Sequence, residues 1–306
     1  MKVLTATQKP FSKLAVDGIR AIIEKNGHTF ASLEKYTAET ELLAAIADAD
    51  ALIVRSDKVT RDVIAAAPQL KIVVRAGAGF DNLDLPACTE RGIVAMNTPG
   101  QNSNAVAVLA IGLMIYISRN QFTPGTGSEL KGKTLGIQAY GNVGRLVASL
   151  AKGFGMKIMA FDPFVPAGTM EKDGVDVAAS LEDLYSSSDF VTLHIPANDQ
   201  TKGSIGYDLI SKMPKGACLV NTARKEVIDE PGLIKALTER EDLKYVTDIA
   251  PAAAEEMAEK FGKRFFATPK KQGAETAEAN VNAGLAAASQ ICDYFANGCT
   301  KFQLNK

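Results

Sequence analysis

The stretch Leu135-Gly136-Ile137-Gln138-Ala139-Tyr140-Gly141-Asn142-Val143-Gly144-Arg145 decides the fold prediction for this chain. It follows a strand-like apolar run and precedes a helical pattern, with the spacing G-x-G-x-x-G except that Ala139 replaces the first glycine. At such a turn Gly141 lets the backbone approach a pyrophosphate, and Gly144 lets helix and strand pack closely. The pattern predicts a dinucleotide site, whose contacting residues are Tyr140, Gly141, Asn142, Val143 and Gly144.

A carboxylate at the end of the next strand pattern indicates which dinucleotide binds. Asp162 lies about twenty residues after the glycines, and a carboxylate there accepts hydrogen bonds from free ribose hydroxyls and repels a 2′-phosphate. The alternative is a tight turn that binds nothing, but a correctly spaced Asp favours the site. We therefore predict NAD rather than NADP. Ala139 is a mild replacement if its φ is negative and a costly one if φ is positive.

Apolar strand-like runs alternate with helical patterns along the whole chain. Such alternation predicts βαβ units and parallel sheets, and continuously apolar strands suit sheets that are covered on both faces. The strand-like runs are Lys2–Thr7, Ala51–Arg55, Lys71–Arg75, Ile93–Asn97, Thr134–Ala139, Lys157–Asp162, Phe190–Ile195, Ala217–Thr222, Tyr245–Ile249 and Phe265–Thr268. The fold class is therefore α/β, with two Rossmann-like or flavodoxin-like domains of parallel sheets and a cleft between them.

The domain order follows from two long helical patterns. Asn104–Asn120 precedes a Gly-, Pro- and Thr-rich loop and the glycine motif, which indicates a crossing between domains. Glu275–Asn297 is Ala-rich and long enough to return to the first domain. We therefore predict a discontinuous substrate-binding domain, residues 1–98 plus 276–306, and an NAD-binding domain, residues 99–275.

Composition excludes several classes of protein. The net charge of −1 gives no global electrostatic reason to bind nucleic acid or an anionic membrane. No apolar run reaches the roughly 18 residues of a membrane span, and the N-terminus shows no signal peptide. The four cysteines lack metal-site spacing, so we predict reduced thiols, no metal site and a cytoplasmic protein.

Further segments resemble the D-2-hydroxyacid dehydrogenases, and among them the short D-3-phosphoglycerate dehydrogenases. They occur in the order of that family across nearly the whole chain. They are Val54-Arg55-Ser56, Arg75-Ala76-Gly77-Ala78-Gly79-Phe80-Asp81-Asn82-Leu83-Asp84, Asn97-Thr98-Pro99 with Asn102, Gly127 to Gly136, Leu193-His194-Ile195-Pro196, and Asn221-Thr222-Ala223-Arg224 with Asp229-Glu230.

The resemblance implies roles for individual residues. Arg224 would bind the substrate carboxylate and polarise the carbonyl, which suits a guanidinium with two parallel donors. Asp248 would meet the nicotinamide carboxamide, and backbone N–H groups at 76–79 would bind the carboxylate. The further cofactor-binding residues implied are His194, Pro196 and Thr222, and the substrate-binding residues are Arg55, Ser56, Arg75, Ala76, Gly77 and Asn102.

Two residues depart from the family pattern at the acid–base position. The family histidine after Thr-Pro is replaced by Lys270, and its partner glutamate corresponds to Ala253. A carboxylate beside a lysine stabilises the ammonium and raises its pKa, so we expect a catalytic lysine to lack such a partner. Lys270 is the predicted acid and base, and Lys271 is a competing proton donor.

The resemblance implies NAD-dependent oxidation of 3-phospho-D-glycerate to 3-phosphohydroxypyruvate in serine biosynthesis. The alternatives are a hydroxypyruvate or glyoxylate reductase and a catalytically silent NAD(H)-binding protein. A substrate phosphate needs cations, and the candidates are Lys9, Arg55, Lys58 and Arg75. The family also implies a homodimer through the cofactor domain, with the Asn104–Asn120 helix involved.

Overall fold

The computed structural model describes all 306 residues. The chain divides into two compact units: unit 1 is Met1–Asn102 with Glu275–Lys306, and unit 2 is Ser103–Ala274. The sequence patterns predict these boundaries at 98/99 and 275/276. None of the helices is long and apolar enough to cross a membrane.

Unit 1 is a five-stranded parallel sheet with the strand order β2-β1-β3-β4-β5. Its strands are β1 Lys2–Thr7, β2 Thr29–Glu34, β3 Ala51–Val54, β4 Ile72–Arg75 and β5 Val94–Asn97. Its helices are α1 Lys13–Lys25, α2 Glu39–Ile46, α3 Arg61–Ala65, α4 Leu85–Glu90 and, from the end of the chain, α12 Ala277–Asn297. This strand order is flavodoxin-like, and it reverses direction between β1 and β3, where such folds bind ligands.

Unit 2 is a seven-stranded parallel sheet with the strand order β12-β11-β10-β9-β6-β7-β8. Its strands are β6 Thr134–Gln138, β7 Lys157–Phe161, β8 Asp176–Val177, β9 Phe190–Leu193, β10 Cys218–Asn221, β11 Lys244–Thr247 and β12 Phe265–Ala267. Its helices are α5 Ser103–Ser118, α6 Asn142–Gly153, α7 Ala167–Lys172, α8 Leu181–Ser186, α9 Tyr207–Ile210, α10 Glu230–Glu239 and α11 Ala254–Phe261. The order reverses between β6 and β9, so the glycine loop lies at a ligand-binding edge.

Both sheets are covered on two faces, as the continuously apolar strands predicted. Side chains alternate between faces along each strand. In β3, Leu52 packs into one core and Ile53 into the other. In β10, Val220 and Leu219 do the same. The predicted α/β class with parallel sheets is confirmed.

The end of the chain completes unit 1. In α12, Gly284 lies against Ile19 of α1, where an added Cβ would meet the Ile19 side chain at 2.9 Å. The tail beyond α12 covers the edge strand β5, because Leu304 N donates to Ala95 O at 2.8 Å and Asn305 accepts from Ala95 N. This pairing protects an edge that would otherwise expose unpaired backbone groups.

Candidate functional site

The glycine loop joins β6 to α6 at the carboxyl edge of the unit 2 sheet. A Cβ at Gly144 would lie 2.3 Å from Ala139 O, so only glycine permits this approach of helix and strand. A Cβ at Gly141 would meet no protein atom within 4 Å, so open space adjoins the start of α6. A loop with free space at a helix N-terminus suits the phosphates of a dinucleotide.

Ala139 occupies the first glycine position in a left-handed conformation, with φ of 77°. A residue with a Cβ pays roughly 1–2 kcal/mol for this region. We therefore expect Ala139→Gly to raise the melting temperature by a few degrees, since about 1 kcal/mol shifts the Tm of a domain of this size by about 2–4 °C. Thermal unfolding measures this change in melting temperature, with Ala21→Gly in α1 as the control. That substitution, in a regular helix, should lower Tm. A lower Tm for Ala139→Gly would contradict the strain.

Asp162 follows β7 and fastens the glycine loop. Its Oδ2 accepts from Tyr140 N and its Oδ1 from Phe164 N, both at 2.8 Å. The Tyr140 ring is buried, and its hydroxyl donates to Asp173 at 3.1 Å. Burial raises the pKa of Tyr140 to about 12. Asp162 thus lies beside the glycine loop, where the backbone N and the hydroxyl of Tyr140 are both engaged within the protein.

His194 follows β9, next to β6 in the sheet. Its backbone N donates to Gln138 O at 3.0 Å, and its Nε2 lies 3.2 Å from the Thr192 hydroxyl. Although the residue as a whole keeps partial exposure, burial of the imidazole lowers the pKa of His194 to about 3. The ring is therefore neutral at physiological pH. Pro196 is exposed, and its carbonyl accepts from Thr201.

The turn after β10 is shaped by the buried amide of Asn221. Its Oδ1 accepts from Ala223 N at 2.9 Å and its Nδ2 donates to Arg224 O at 3.0 Å. Arg224 Nη1 donates to Ala223 O at 3.0 Å. Thr222 is only 3% exposed, and its hydroxyl has no partner. A buried hydroxyl without a partner costs free energy unless a ligand or water satisfies it.

Asp248 follows β11 and is completely buried. Its Oδ1 lies 3.1 Å from Lys271 Nζ, and its Oδ2 accepts from Gly273 N at 2.8 Å. A Cβ at Gly273 would lie 2.8 Å from that same oxygen, so glycine is needed there. The carboxylate is thus held by the segment that follows β12.

The structure brings Lys271, not Lys270, to this site. Lys271 Nζ donates to Ala223 O at 2.7 Å and to Thr222 O at 3.3 Å, in addition to its contact with Asp248. Lys270 is exposed, and its backbone carbonyl accepts from Thr268. The second of the two lysines therefore faces the ends of β10 and β11, and the first faces solvent.

The surroundings of Lys271 differ from those expected for a catalytic lysine. A carboxylate partner was not expected, because Ala253 takes the family's glutamate position, yet Asp248 is in contact. Burial is the largest effect and lowers the pKa of Lys271. Asp248 and Glu226 oppose this shift, and the nearby charge of Arg224 adds to it. The net result is an amine that loses its proton more easily than an exposed lysine.

In unit 1, the predicted substrate residues lie at the carboxyl ends of β3 and β4. Arg75 Nε donates to Arg55 O at 3.0 Å. The Arg55 guanidinium donates to Asn280 Oδ1 and, at 3.3 Å each, to the carbonyls of Lys9 and Pro10. The strand ends therefore bring Arg55 and Arg75 together near the point where the strand order reverses.

The backbone at 76–77 is less available than expected. Ala76 N donates to Val54 O, and Gly77 N donates to the Thr98 hydroxyl at 2.6 Å. Two of the four N–H groups at 76–79 that were predicted to bind a carboxylate are thus already engaged within unit 1. Gly77 itself is required, because its φ is 147° and a Cβ would collide with the Arg75 guanidinium. The two other predicted substrate residues are the exposed Ser56 and the half-buried Asn102.

The comparisons with known proteins agree with this architecture. Residues 115–280 match the NAD binding domain of the D-isomer specific 2-hydroxyacid dehydrogenases. The D-3-phosphoglycerate dehydrogenase of Methanocaldococcus jannaschii is 41% identical over 273 residues, 82% of this chain and 51% of that relative. The hydroxypyruvate reductase of Thermotoga maritima is 41% identical over 213 residues, 65% of this chain and 68% of that relative. The match to the first relative thus spans about half of its length.

A solved structure is similar over the full length. The NAD⁺-bound 3-phosphoglycerate dehydrogenase of Entamoeba histolytica is 51% identical with a TM-score of 0.90, and the match covers 100% of this chain and 99% of that one. The resemblance predicted from the sequence motifs is confirmed. The chain belongs to the D-isomer specific 2-hydroxyacid dehydrogenase family and carries its NAD-binding domain.

Proposed function

We propose that this chain is an NAD-dependent dehydrogenase that oxidises 3-phospho-D-glycerate to 3-phosphohydroxypyruvate in serine biosynthesis. The observation that carries the proposal is that two cationic side chains, Arg224 and Lys271, contact the same carbonyl oxygen. Arg224 Nη1 and Lys271 Nζ donate to Ala223 O, at 3.0 and 2.7 Å. A 2-hydroxy acid presents what such a pair can bind: a carboxylate, and beside it an oxygen that must lose or gain a proton.

The residues at this edge fit NAD. Thr222 offers a buried hydroxyl without a partner, Gly141 leaves open space at the start of α6, and Asp162 is held in place at the end of β7. We propose that Thr222 holds the nicotinamide portion, that the loop at Gly141 holds the phosphates and that Asp162 holds the adenosine ribose. When bound, NAD⁺ supplies the hydride acceptor.

Arg224 and Lys271 would divide the remaining chemistry. The Arg224 guanidinium presents two parallel donors, so it would bind the carboxylate and polarise the C2 oxygen. In oxidation Lys271 would take the hydroxyl proton on its neutral amine, while bound NAD⁺ would supply the acceptor for the C2 hydride. Reduction returns that proton from the ammonium. We assign this role to Lys271 rather than Lys270 because only Lys271 lies beside Arg224.

The phosphate of the substrate is proposed to bind the cations of unit 1. Arg55 and Arg75 are adjacent at the ends of β3 and β4. Lys58 is exposed shortly after Arg55 in the sequence, and the exposed Lys9 accepts from the Arg55 guanidinium through its backbone carbonyl. The Arg55 guanidinium is oriented by Asn280 and lies over the Phe11 ring at 5.4 Å. An oriented guanidinium loses little conformational freedom when it binds an oxyanion.

Phosphate selectivity tests this function. Steady-state turnover of the purified chain with 3-phospho-D-glycerate, D-glycerate, hydroxypyruvate and glyoxylate should be highest for the phosphorylated acid, and NAD should be preferred over NADP. Arg55→Ala should remove most of that advantage. The expected loss in kcat/KM is about tenfold or more, which is equivalent to about 1.4 kcal/mol of transition-state stabilisation. Arg61→Ala, which removes an exposed arginine paired with Glu90, is the matched control. Equal turnover of glycerate and phosphoglycerate would contradict the assignment.

The second candidate is a hydroxypyruvate or glyoxylate reductase. It is favoured by the similarity to the Thermotoga maritima hydroxypyruvate reductase. The same substrate panel distinguishes it, because this enzyme would prefer the unphosphorylated oxo acids. NADH binding without turnover of any acid would instead indicate a silent NAD(H)-binding protein.

We also propose a cytoplasmic homodimer. All sixteen residues of α5 are uncharged, and Val108 on this helix is 53% exposed. Phe122, just beyond α5, is 69% exposed. An exposed apolar surface of this kind suits a second copy of the chain related by a two-fold axis. Light scattering should give the mass of two chains, and Val108→Asp should give one. A wild-type monomer would contradict the proposal.

The four free thiols suit the reducing cytoplasm.

A further inference from the structure

Every hydrogen of the Lys271 ammonium has an acceptor in the protein. Nζ lies 3.1 Å from Asp248 Oδ1, 2.7 Å from Ala223 O and 3.3 Å from Thr222 O. A lysine ammonium has three N–H donors, so these contacts account for all of them. Asp248 is the charged acceptor among the three, so it is the one that stabilises the ammonium form of Lys271 over the neutral amine.

Asp248 cannot move away easily. The residue is 0% exposed, and its second oxygen accepts from Gly273 N at 2.8 Å. Its backbone N donates to Asn221 O at 3.1 Å, and its backbone O accepts from Gln272 N at 3.2 Å. The backbone of Asp248 is therefore tied to the end of β10, and its carboxylate is tied to the same segment that carries Lys271.

We propose that Asp248 is a positioning residue that orients Lys271 and holds its proton, supplying from the end of β11 the carboxylate that is absent at Ala253. The inference rests on the proposed function, in which Lys271 is the acid and base. It gives Asp248 a role other than the nicotinamide contact implied by the family resemblance. When a substrate oxygen needs a donor, the longest contact, to Thr222 O, is the one to be released, while the contact with Asp248 keeps the amine in place.

The charged groups that face Lys271 set the expected direction of change. Asp248 and Glu226 stabilise the ammonium, and Arg224 destabilises it. Asp248→Asn removes the contacting negative charge and keeps the shape, so the pKa of Lys271 should fall. Glu226→Gln is the matched control, because Glu226 is exposed and is not one of the three acceptors of the amine.

Competitive acetylation of the whole chain, followed by mass spectrometry, tests the inference without any assumption about activity. At neutral pH, Asp248→Asn should raise the modification of Lys271 about tenfold relative to the other lysines, which is the effect of a fall of about one pKa unit. Glu226→Gln should change it less than about twofold, because solvent screens an exposed charge. An unchanged Lys271 in Asp248→Asn, with a large loss of NADH affinity, would overturn the inference and leave Asp248 with the cofactor.

The wild-type protein provides a second test if Asp248→Asn fails to fold. Lys271 should be acetylated more slowly than Lys270, its exposed neighbour, because the three acceptors restrict access to its amine by more than its lowered pKa increases its reactivity. Equal or faster acetylation of Lys271 would overturn the inference. A kinetic measurement then separates this result from the proposed function. The fall of NADH-dependent reduction at alkaline pH should move to lower pH in Asp248→Asn. If wild type reduces no acid, the proposed function fails while the acetylation result still decides the role of Asp248.

Discussion

Replacing Lys271 with methionine should lower kcat by about 10²–10⁴-fold in both directions, the usual contribution of general acid–base catalysis. The amine lies beside Arg224. In the proposed mechanism it takes a proton from the C2 hydroxyl and returns it. Lys270→Met should keep near-wild-type kcat, because that side chain is exposed. Steady-state rates with 3-phospho-D-glycerate and with 3-phosphohydroxypyruvate measure both variants. The opposite result, with Lys270→Met inactive, would return the assignment to Lys270.

The stability of the variant needs its own measurement. Lys271→Met leaves Asp248 buried without its charged partner, and breaking a buried pair costs about 3–5 kcal/mol. Tm and NADH affinity must therefore show that the protein is folded at the assay temperature. Added alkylamines should partly restore turnover in a folded Lys271→Ala protein, because they can replace the missing amine.

The same amine sets the expected pH dependence. In the proposed mechanism oxidation needs neutral Lys271, so its rate should rise with pH, whereas reduction needs the ammonium and should fall over the same range. Burial and Arg224 lower the pKa of Lys271. The midpoint should therefore lie below the value of about 10.4 for a free lysine. A midpoint above that value would contradict the site described here.

Arg224→Lys should lower kcat/KM by about tenfold or more, equivalent to about 1.4 kcal/mol. A lysine cannot reproduce the two parallel donors of the guanidinium. It would also place a second ammonium next to Lys271. Lys225→Gln, at the exposed neighbouring position, is the control and should leave kcat/KM close to wild type. A fully active Arg224→Lys protein would mean that another residue binds the carboxylate.

Most of the fold could be predicted from local sequence. Ten apolar runs coincide with strands of the two sheets, but β2 and β8 were not predicted. β2 lies at a sheet edge and is only partly buried, and β8 has only two residues. Edge strands that are not buried on both faces lack the continuous apolar pattern by which the other strands were identified. Their position follows from pairing with β1 and β7.

The sequence by itself determined the α/β class, the glycine loop, the position of Asp162 at the end of the next strand and the family. Each of these depends on residue types at a short, regular spacing. Only the tertiary structure decided that Lys271 meets Asp248 and Arg224 while Lys270 faces solvent. The direction of a side chain after a strand depends on how the following turn is held. Here that turn is held by the hydrogen bond that Gly273 N donates to the Asp248 carboxylate. Burial and the distances between charges arise only when distant strands are brought together, and these determine the pKa of Lys271.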